Sequence, residues 1–105
     1  MLFEVGKASD IPPGEARRFV VDRVEIAVAN CDGEFLAVDD ICSHAEYSLS
    51  DGEVDPDDCT IECPKHGSTF DLHTGRPRTL PATVPVATFP VKVEGDTLLI
   101  ELEDR

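Results

Sequence analysis

Eight prolines, at positions 12, 13, 56, 64, 77, 81, 85 and 90, leave this chain little room for helix. A proline inside a helix removes a backbone donor and clashes with the turn before it. Glycines at 14, 33, 52, 67, 75 and 95 cut the remaining windows further. No breaker-free window keeps an apolar period of 3.6 residues, so long helices are not expected. Only "ASDI", ahead of Pro12, has room for one short helical turn.

Alternation of period two takes the place of helix. Phe19 and Val21 share one face of "RFVVD", and Val24, Ile26 and Val28 share one face of "VEIAV". "NCDG" then offers Asp and Gly for a hairpin corner before "EFLAVDD". Near the end, Phe89, Val91 and Val93 form one apolar row and Leu98, Ile100 and Leu102 its partner, with Gly95-Asp96 as a two-residue loop between them. Pro90, inside this pattern, predicts an edge or a bulge. Strands are therefore expected over roughly 16–39 and 86–102. The interval 40–85 is richer in Asp, Pro and Gly and reads as an insertion on a β scaffold.

That insertion carries the chemistry. "ICSHAEYS" holds Cys42 and His44, and "ECPKHGSTFD" holds Cys63 and His66, with eighteen residues between His44 and Cys63. Two such loops make a Cys₂His₂ donor set. Zinc accepts that set in structural sites, although its common order pairs Cys with Cys and His with His. One Cys and one His per loop suits a two-iron cluster, where one iron takes both thiolates and the other both imidazoles. Pairing the four cysteines as two disulfides is the competing reading, but a disulfide has no use for the adjacent histidines. A Cys–His nucleophile is disfavoured, since no third group is placed to orient it.

The pattern C-x-H-x₁₈-C-P-x-H-G, with "CPKHGSTFD" intact, resembles the Rieske [2Fe–2S] signature. Chain length, β frame and the "LPAT" stretch at 80–83 resemble the small Rieske-type ferredoxins of ring-hydroxylating oxygenase systems. The resemblance implies an all-β Rieske fold: an antiparallel sandwich or barrel base, about 1–39 and 83–105, with an inserted cluster-binding subdomain, about 40–82, in one domain spanning 1–105. It implies one [2Fe–2S] cluster, with Cys42 and Cys63 on the inner iron and His44 and His66 on the outer one. The potential should then fall as pH rises through the titration of the two imidazoles. Two ferric ions, two sulfides and two thiolates sum to zero charge, against −2 for a Cys₄ cluster, so such a centre accepts an electron more readily.

The respiratory members of that family carry an extra cysteine in each loop, joined as a disulfide. Tyr47 and Lys65 stand at those positions here. Phe70 replaces a tyrosine whose hydroxyl bonds a thiolate, while Ser68 matches a serine that bonds a bridging sulfide. Hydrogen bonds to sulfur raise the potential. Retaining one of two places this chain near the low end of the Rieske range, about −150 mV.

Function follows from what the chain cannot do. A mononuclear oxygenase iron needs two histidines and a carboxylate. Only His73 remains once the cluster has taken two. The chain is thus expected to be a non-enzymatic electron carrier between an NAD(P)H-dependent flavoprotein reductase and a terminal oxygenase. The alternatives are an accessory of iron–sulfur assembly and a zinc-stabilised binding module.

The remaining candidates read more plainly. Cys59 shares parity with Ile61 and Cys63 in "CTIEC", which predicts an inward-facing, unpaired thiol. Cys31, in the "NCDG" turn, reads as partly exposed and incidental. His73 has no Cys at ligand spacing and reads as solvent-facing. Tyr47 should pack beside the first loop, and the proline stretch after Arg76 should cover the cluster. Lys65, Arg76 and Arg78 read equally as a small basic spot or as chance exposure.

Twenty-two acids against nine bases give a net charge of −13 over 105 residues. Such a surface repels nucleic acid. It either steers encounter with a basic partner or serves only solubility, and salt dependence of the electron-transfer rate separates the two. No run of eighteen apolar residues and no apolar stretch near the N-terminus is present, so neither a membrane span nor a signal peptide is expected. A cytoplasmic, reducing location is expected, in which thiols serve metals more often than disulfides.

Overall fold

The computed structural model describes residues 1–42, 47–65 and 67–102. Among them the fold is all-β, with two single 3₁₀ turns and no α-helix. The strands are β1 Leu2–Lys7, β2 Ala16–Val21, β3 Val24–Cys31, β4 Glu34–Asp39, β5 Val54–Asp55, β6 Thr60–Glu62, β7 Thr69–Asp71, β8 Thr88–Phe89, β9 Val91–Glu94 and β10 Thr97–Glu101. They form three antiparallel sheets, ordered β1-β10-β9, β2-β3-β4-β8 and β5-β6-β7. The expected turn before Pro12 is the 3₁₀ turn Ala8–Asp10.

Both anticipated hairpin corners form. Asp32 and Gly33 take positive φ, 50° and 97°, between β3 and β4, and Gly95-Asp96 joins β9 to β10. A third tight corner, Asp22-Arg23, has positive φ at both residues despite lacking glycine. Strand β1, which the apolar pattern did not single out, pairs along β10 from Leu2↔Glu101 to Lys7↔Thr97.

The middle sheet is covered on both faces. Ile26 and Val28 of β3, with Ala37 of β4, point into a core shared with Leu98, Ile100 and Leu102. Ala27, Ala29 and Val38 point the other way, into a second core with Val54, Ile61, Phe70 and Leu72. A strand covered on both faces loses strict alternation, and β3 is buried at every position from Ile26 to Cys31. Burying a side chain such as Leu98 or Ile100 stabilises by about 1.5–3 kcal/mol each. Pro90 sits where the chain changes sheets. Phe89, before it, pairs with Ala37 in the middle sheet, and Val91, after it, pairs with Ile100 in the outer one. The missing N–H costs nothing at a position that belongs to neither ladder.

Candidate metal centre

The second core carries the site. Cys42 and Cys63 are 3% and 1% exposed and belong to that same buried cluster. Neither is disulfide-bonded. Each opens a loop closed by the same backbone bond: Cys42 N–H donates to the Tyr47 carbonyl at 3.0 Å, and Cys63 N–H donates to the Ser68 carbonyl at 2.7 Å. His44 and His66 lie outside the described residues.

The first loop leaves β4 through Asp39 and Asp40. Asp40 is fully buried. Its backbone carbonyl accepts from Leu49 N–H, and its Oδ1 accepts from Ser50 N–H at 3.0 Å. Arg18 Nε stands 3.3 Å from Oδ2, an ion-pair distance without hydrogen-bond geometry. Arg18 also binds Glu25, whose carboxylate is the chief reason the guanidinium pKa is raised. Asp40 therefore fixes the 3₁₀ turn Leu49–Asp51 on which the loop returns.

The second loop follows β6 and returns into β7. Gly67 sits at φ +74°, a conformation that strains residues with a Cβ. Three polar ties bind this loop to the proline stretch. Ser68 Oγ accepts from Ala82 N–H at 3.1 Å, Thr79 Oγ1 accepts from Thr69 N–H at 2.8 Å, and Thr69 O accepts from Arg78 N–H at 2.7 Å. Ser68 is fully buried, so its bond is shielded from water. Gly75 anchors the far end of the stretch. A Cβ there would stand 2.0 Å from the Val86 carbonyl oxygen, and its φ is +77°. Leu80 is 78% exposed at the tip.

Tyr47 and Lys65 link the two loops. Lys65 Nζ lies 5.3 Å from the Tyr47 ring centroid, within cation–π range. Phe70 is fully buried in the second core. Of the three bases read as a possible basic spot, Arg78 faces Asp71 Oδ2 at 3.6 Å, and Lys65 engages Tyr47.

Two expectations about cysteine are corrected. Cys31 and Cys59 form a disulfide, with Cα atoms 5.5 Å apart. Cys31 is not a partly exposed turn residue but the buried last residue of β3, its Sγ 3.3 Å from the Pro56 carbonyl. Cys59 is not in register with Ile61. It precedes β6 in a turn at φ +53°, which breaks the parity on which the inward reading rested. The pair joins the middle sheet to the turn ahead of Cys63 across a 28-residue separation, worth about 3–4 kcal/mol against the unfolded chain. His73 is half exposed, as expected, but its Nε2 lies 3.0 Å from Glu34 Oε1 and it is a spatial neighbour of Cys59.

Two buried thiols at matching points of two closed loops, with a buried serine hydroxyl beside the second, suit a cluster bound through sulfur. Known proteins agree. Residues 1–90 match the Rieske [2Fe-2S] domain family. The chain is 43% identical over 102 residues to the ferredoxin component of biphenyl 2,3-dioxygenase from Rhodococcus jostii (strain RHA1), covering 97% of this chain and 94% of that one. The ferredoxin of carbazole 1,9a-dioxygenase from Nocardioides aromaticivorans IC177 superposes with a TM-score of 0.93 at 33% identity, covering 98% of this chain and 99% of that one. A chain from a complex of reduced oxygenase and oxidized ferredoxin in carbazole 1,9a-dioxygenase gives 0.86 at 39% identity, covering 94% and 100%. This chain belongs to the Rieske [2Fe–2S] family and is one of its small ferredoxins, an electron-transfer component that holds a single cluster and not a catalytic subunit.

Proposed function

We propose that Cys42 and Cys63 hold one iron of the cluster, that His44 and His66 hold the other, and that segment 40–82 is the subdomain that carries it. The observation that supports this reading is the matched closure of the two loops around Cys42 and Cys63 inside one core. The [2Fe–2S] group, when bound, supplies a one-electron couple. The protein's own part is to bury the thiolate end, exclude water from it and tune it. Ser68 spends a lone pair on Ala82 N–H. Its hydroxyl proton therefore remains to be donated, and we assign it to a cluster sulfur. Phe70 offers no second donor.

The electron path runs from an NAD(P)H-dependent flavoprotein reductase to a terminal oxygenase, in the cytoplasm. The relative named as a biphenyl dioxygenase component and the ferredoxin–oxygenase complex both support such partners. Among the described residues no helix is long and apolar enough to cross a membrane. The binding of two proteins in turn requires brief contacts, and electron-transfer interfaces are small.

The test is chemical analysis of the purified protein with electron paramagnetic resonance of the dithionite-reduced form. The expected result is two irons and two acid-labile sulfides per chain, a Rieske spectrum, a potential near −150 mV, and loss of the visible absorbance in Cys63→Ser and His44→Ala. Protein without iron, or variants that keep their absorbance, would refute the assignment. A potential above about +100 mV would refute the hydrogen-bond argument.

A further inference from the structure

The Cys31–Cys59 pair lies among other metal-binding groups. Cys31 ends β3, Glu34 opens β4, Cys59 stands in the turn before β6, and His73 stands in the turn after β7. Ligand atoms of Cys59, His73 and Glu34 all lie within 4.8 Å of one another, and Cys31 Sγ is the atom bonded to Cys59 Sγ. Three donors from three separate sequence positions thus converge at the seam between the middle sheet and the sheet that follows the first loop, and the disulfide places Cys31 Sγ next to the Cys59 member of the group. Asp71 sets the imidazole in place. Its Oδ1 accepts from the backbone N–H of His73 and of Thr74, and the same oxygen faces His73 Nδ1 at 3.8 Å. His73 and Glu34 are open to solvent, so ions have access, while Cys31 is buried behind them.

We propose that Cys31, Cys59, His73 and Glu34 form a second metal site, open only when the disulfide is reduced, that takes one thiophilic divalent cation of the zinc class. Two thiolates, one imidazole and one carboxylate are zinc donors, and the thiolates disfavour magnesium and calcium. The exposed His73–Glu34 pair has little value as a surface ion pair. As half of a donor set its position beside a cysteine pair acquires a use. The balance is simple. A dithiol reductant gives two electrons and two protons to the disulfide, yielding two protein thiols and an oxidised reductant. One zinc ion then binds both sulfurs as thiolates and releases two protons. The site and the disulfide use the same two sulfurs and so exclude each other, and a reducing compartment favours the thiol form.

The site does not depend on the cluster assignment, and one experiment separates the two. Holoprotein is reduced with a phosphine, desalted without oxygen, and dialysed against 1 μM zinc with millimolar magnesium, on the order of a physiological competitor. Native mass spectrometry and elemental analysis count zinc, iron and sulfide. The expected result is one zinc per chain after reduction and none before, with iron and sulfide unchanged. Cys59→Ser should abolish uptake, and His73→Ala, on an exposed turn, should weaken it at least tenfold. Zinc uptake that both variants leave intact, or no uptake by reduced protein, overturns the proposal. Zinc gained with equal loss of iron means the cluster ligands took it, and also overturns it. A protein lacking iron yet binding zinc through His73 sinks the cluster assignment and leaves this one standing.

Discussion

The loops at 41–48 and 63–68 share a backbone closure and differ in what holds them. Around the first, a buried carboxylate gathers the chain: Asp40 takes Ser50 N–H on its side chain and Leu49 N–H on its backbone, under Arg18. Around the second, neutral hydroxyls do so: Ser68 and Thr79 take backbone N–H groups across the junction with the proline stretch. A buried charge gives the larger energy per bond and leaves the larger penalty when its partners go. A neutral hydroxyl gives less but keeps a proton to direct at a neighbour. Under the proposed assignment of the Ser68 proton, the first loop is built for anchorage and the second for anchorage and tuning together.

Asp40→Ala should bring the largest loss among these supports, about 2–3 kcal/mol. It removes a charged hydrogen bond, while Arg18, 44% exposed, recovers part of its share from water. Asp40→Asn, which keeps an oxygen for Ser50 N–H, should cost about half as much. Denaturant midpoints followed by far-ultraviolet circular dichroism and by cluster absorbance measure both. If Asp40→Ala costs no more than the serine substitution that follows, the contrast between the loops fails.

Ser68→Ala should cost about 1 kcal/mol, since it strands the buried Ala82 N–H. It should also lower the potential by about 40 mV, because the proposed bond from the Ser68 hydroxyl to a cluster sulfur is lost, and about 1 kcal/mol of preference for the reduced state corresponds to that shift in a one-electron couple. Asp40→Ala should leave the potential where it was. A potential that moves in the aspartate variant and not in the serine variant would reverse the assigned roles.

How much of this could be read from the chain depends on distance along it. The Cys42/His44 and Cys63/His66 spacing is local, and so are the Asp32-Gly33 and Gly95-Asp96 corners, whose backbone demands name their residues. The Cys31–Cys59 bond is not local. Its partners lie 28 residues apart, and the parity argument at Cys59 assumed a strand where the chain turns through positive φ. Alternation at β3 showed Val24, Ile26 and Val28 but not the second buried face, because Ala27 and Ala29 carry little apolar weight. The approach of His73 to Glu34 and Cys59 has no sequence signal, since it arises from the packing of one sheet on another. His44 and His66, the proposed ligands of the outer iron, are legible in the motif and lie outside the described residues.

The Tyr47–Lys65 contact tests whether the two loops act as one unit. Both residues are exposed, and a cation–π pair in such a setting is worth about 0.5–1 kcal/mol. Lys65→Met, which keeps the stem and removes the charge, should speed loss of cluster absorbance on dilution into denaturant while leaving the potential within a few tens of millivolts. A double-mutant cycle with Tyr47→Leu isolates the pair. A coupling of zero would mean that each loop is held by its own supports alone.

The smallest expected effect lies far from the site and uses the same device as Asp40 at the surface. Asp96, in the β9–β10 corner, accepts Ser9 Oγ–H at 2.6 Å and Ser9 N–H at 2.8 Å, tying the turn after β1 to the last hairpin. These two bonds, the hydroxyl's first, hold its carboxyl below the usual aspartate range. A carboxyl with a depressed folded-state pKa binds protons more tightly when unfolded. Its contribution is therefore present at pH above the ordinary aspartate value, and it fades as pH falls through the lower, folded one. Wild type should be slightly more stable than Ser9→Ala near neutral pH, and the two should converge in acid. Because Asp96 is fully solvated, the difference should be well below that of Asp40→Ala, and salt should shrink it further. A gap that persists in acid would mean that Ser9 acts through packing and not through the carboxylate, and the likeness between the exposed aspartate and the buried one would then rest on geometry alone.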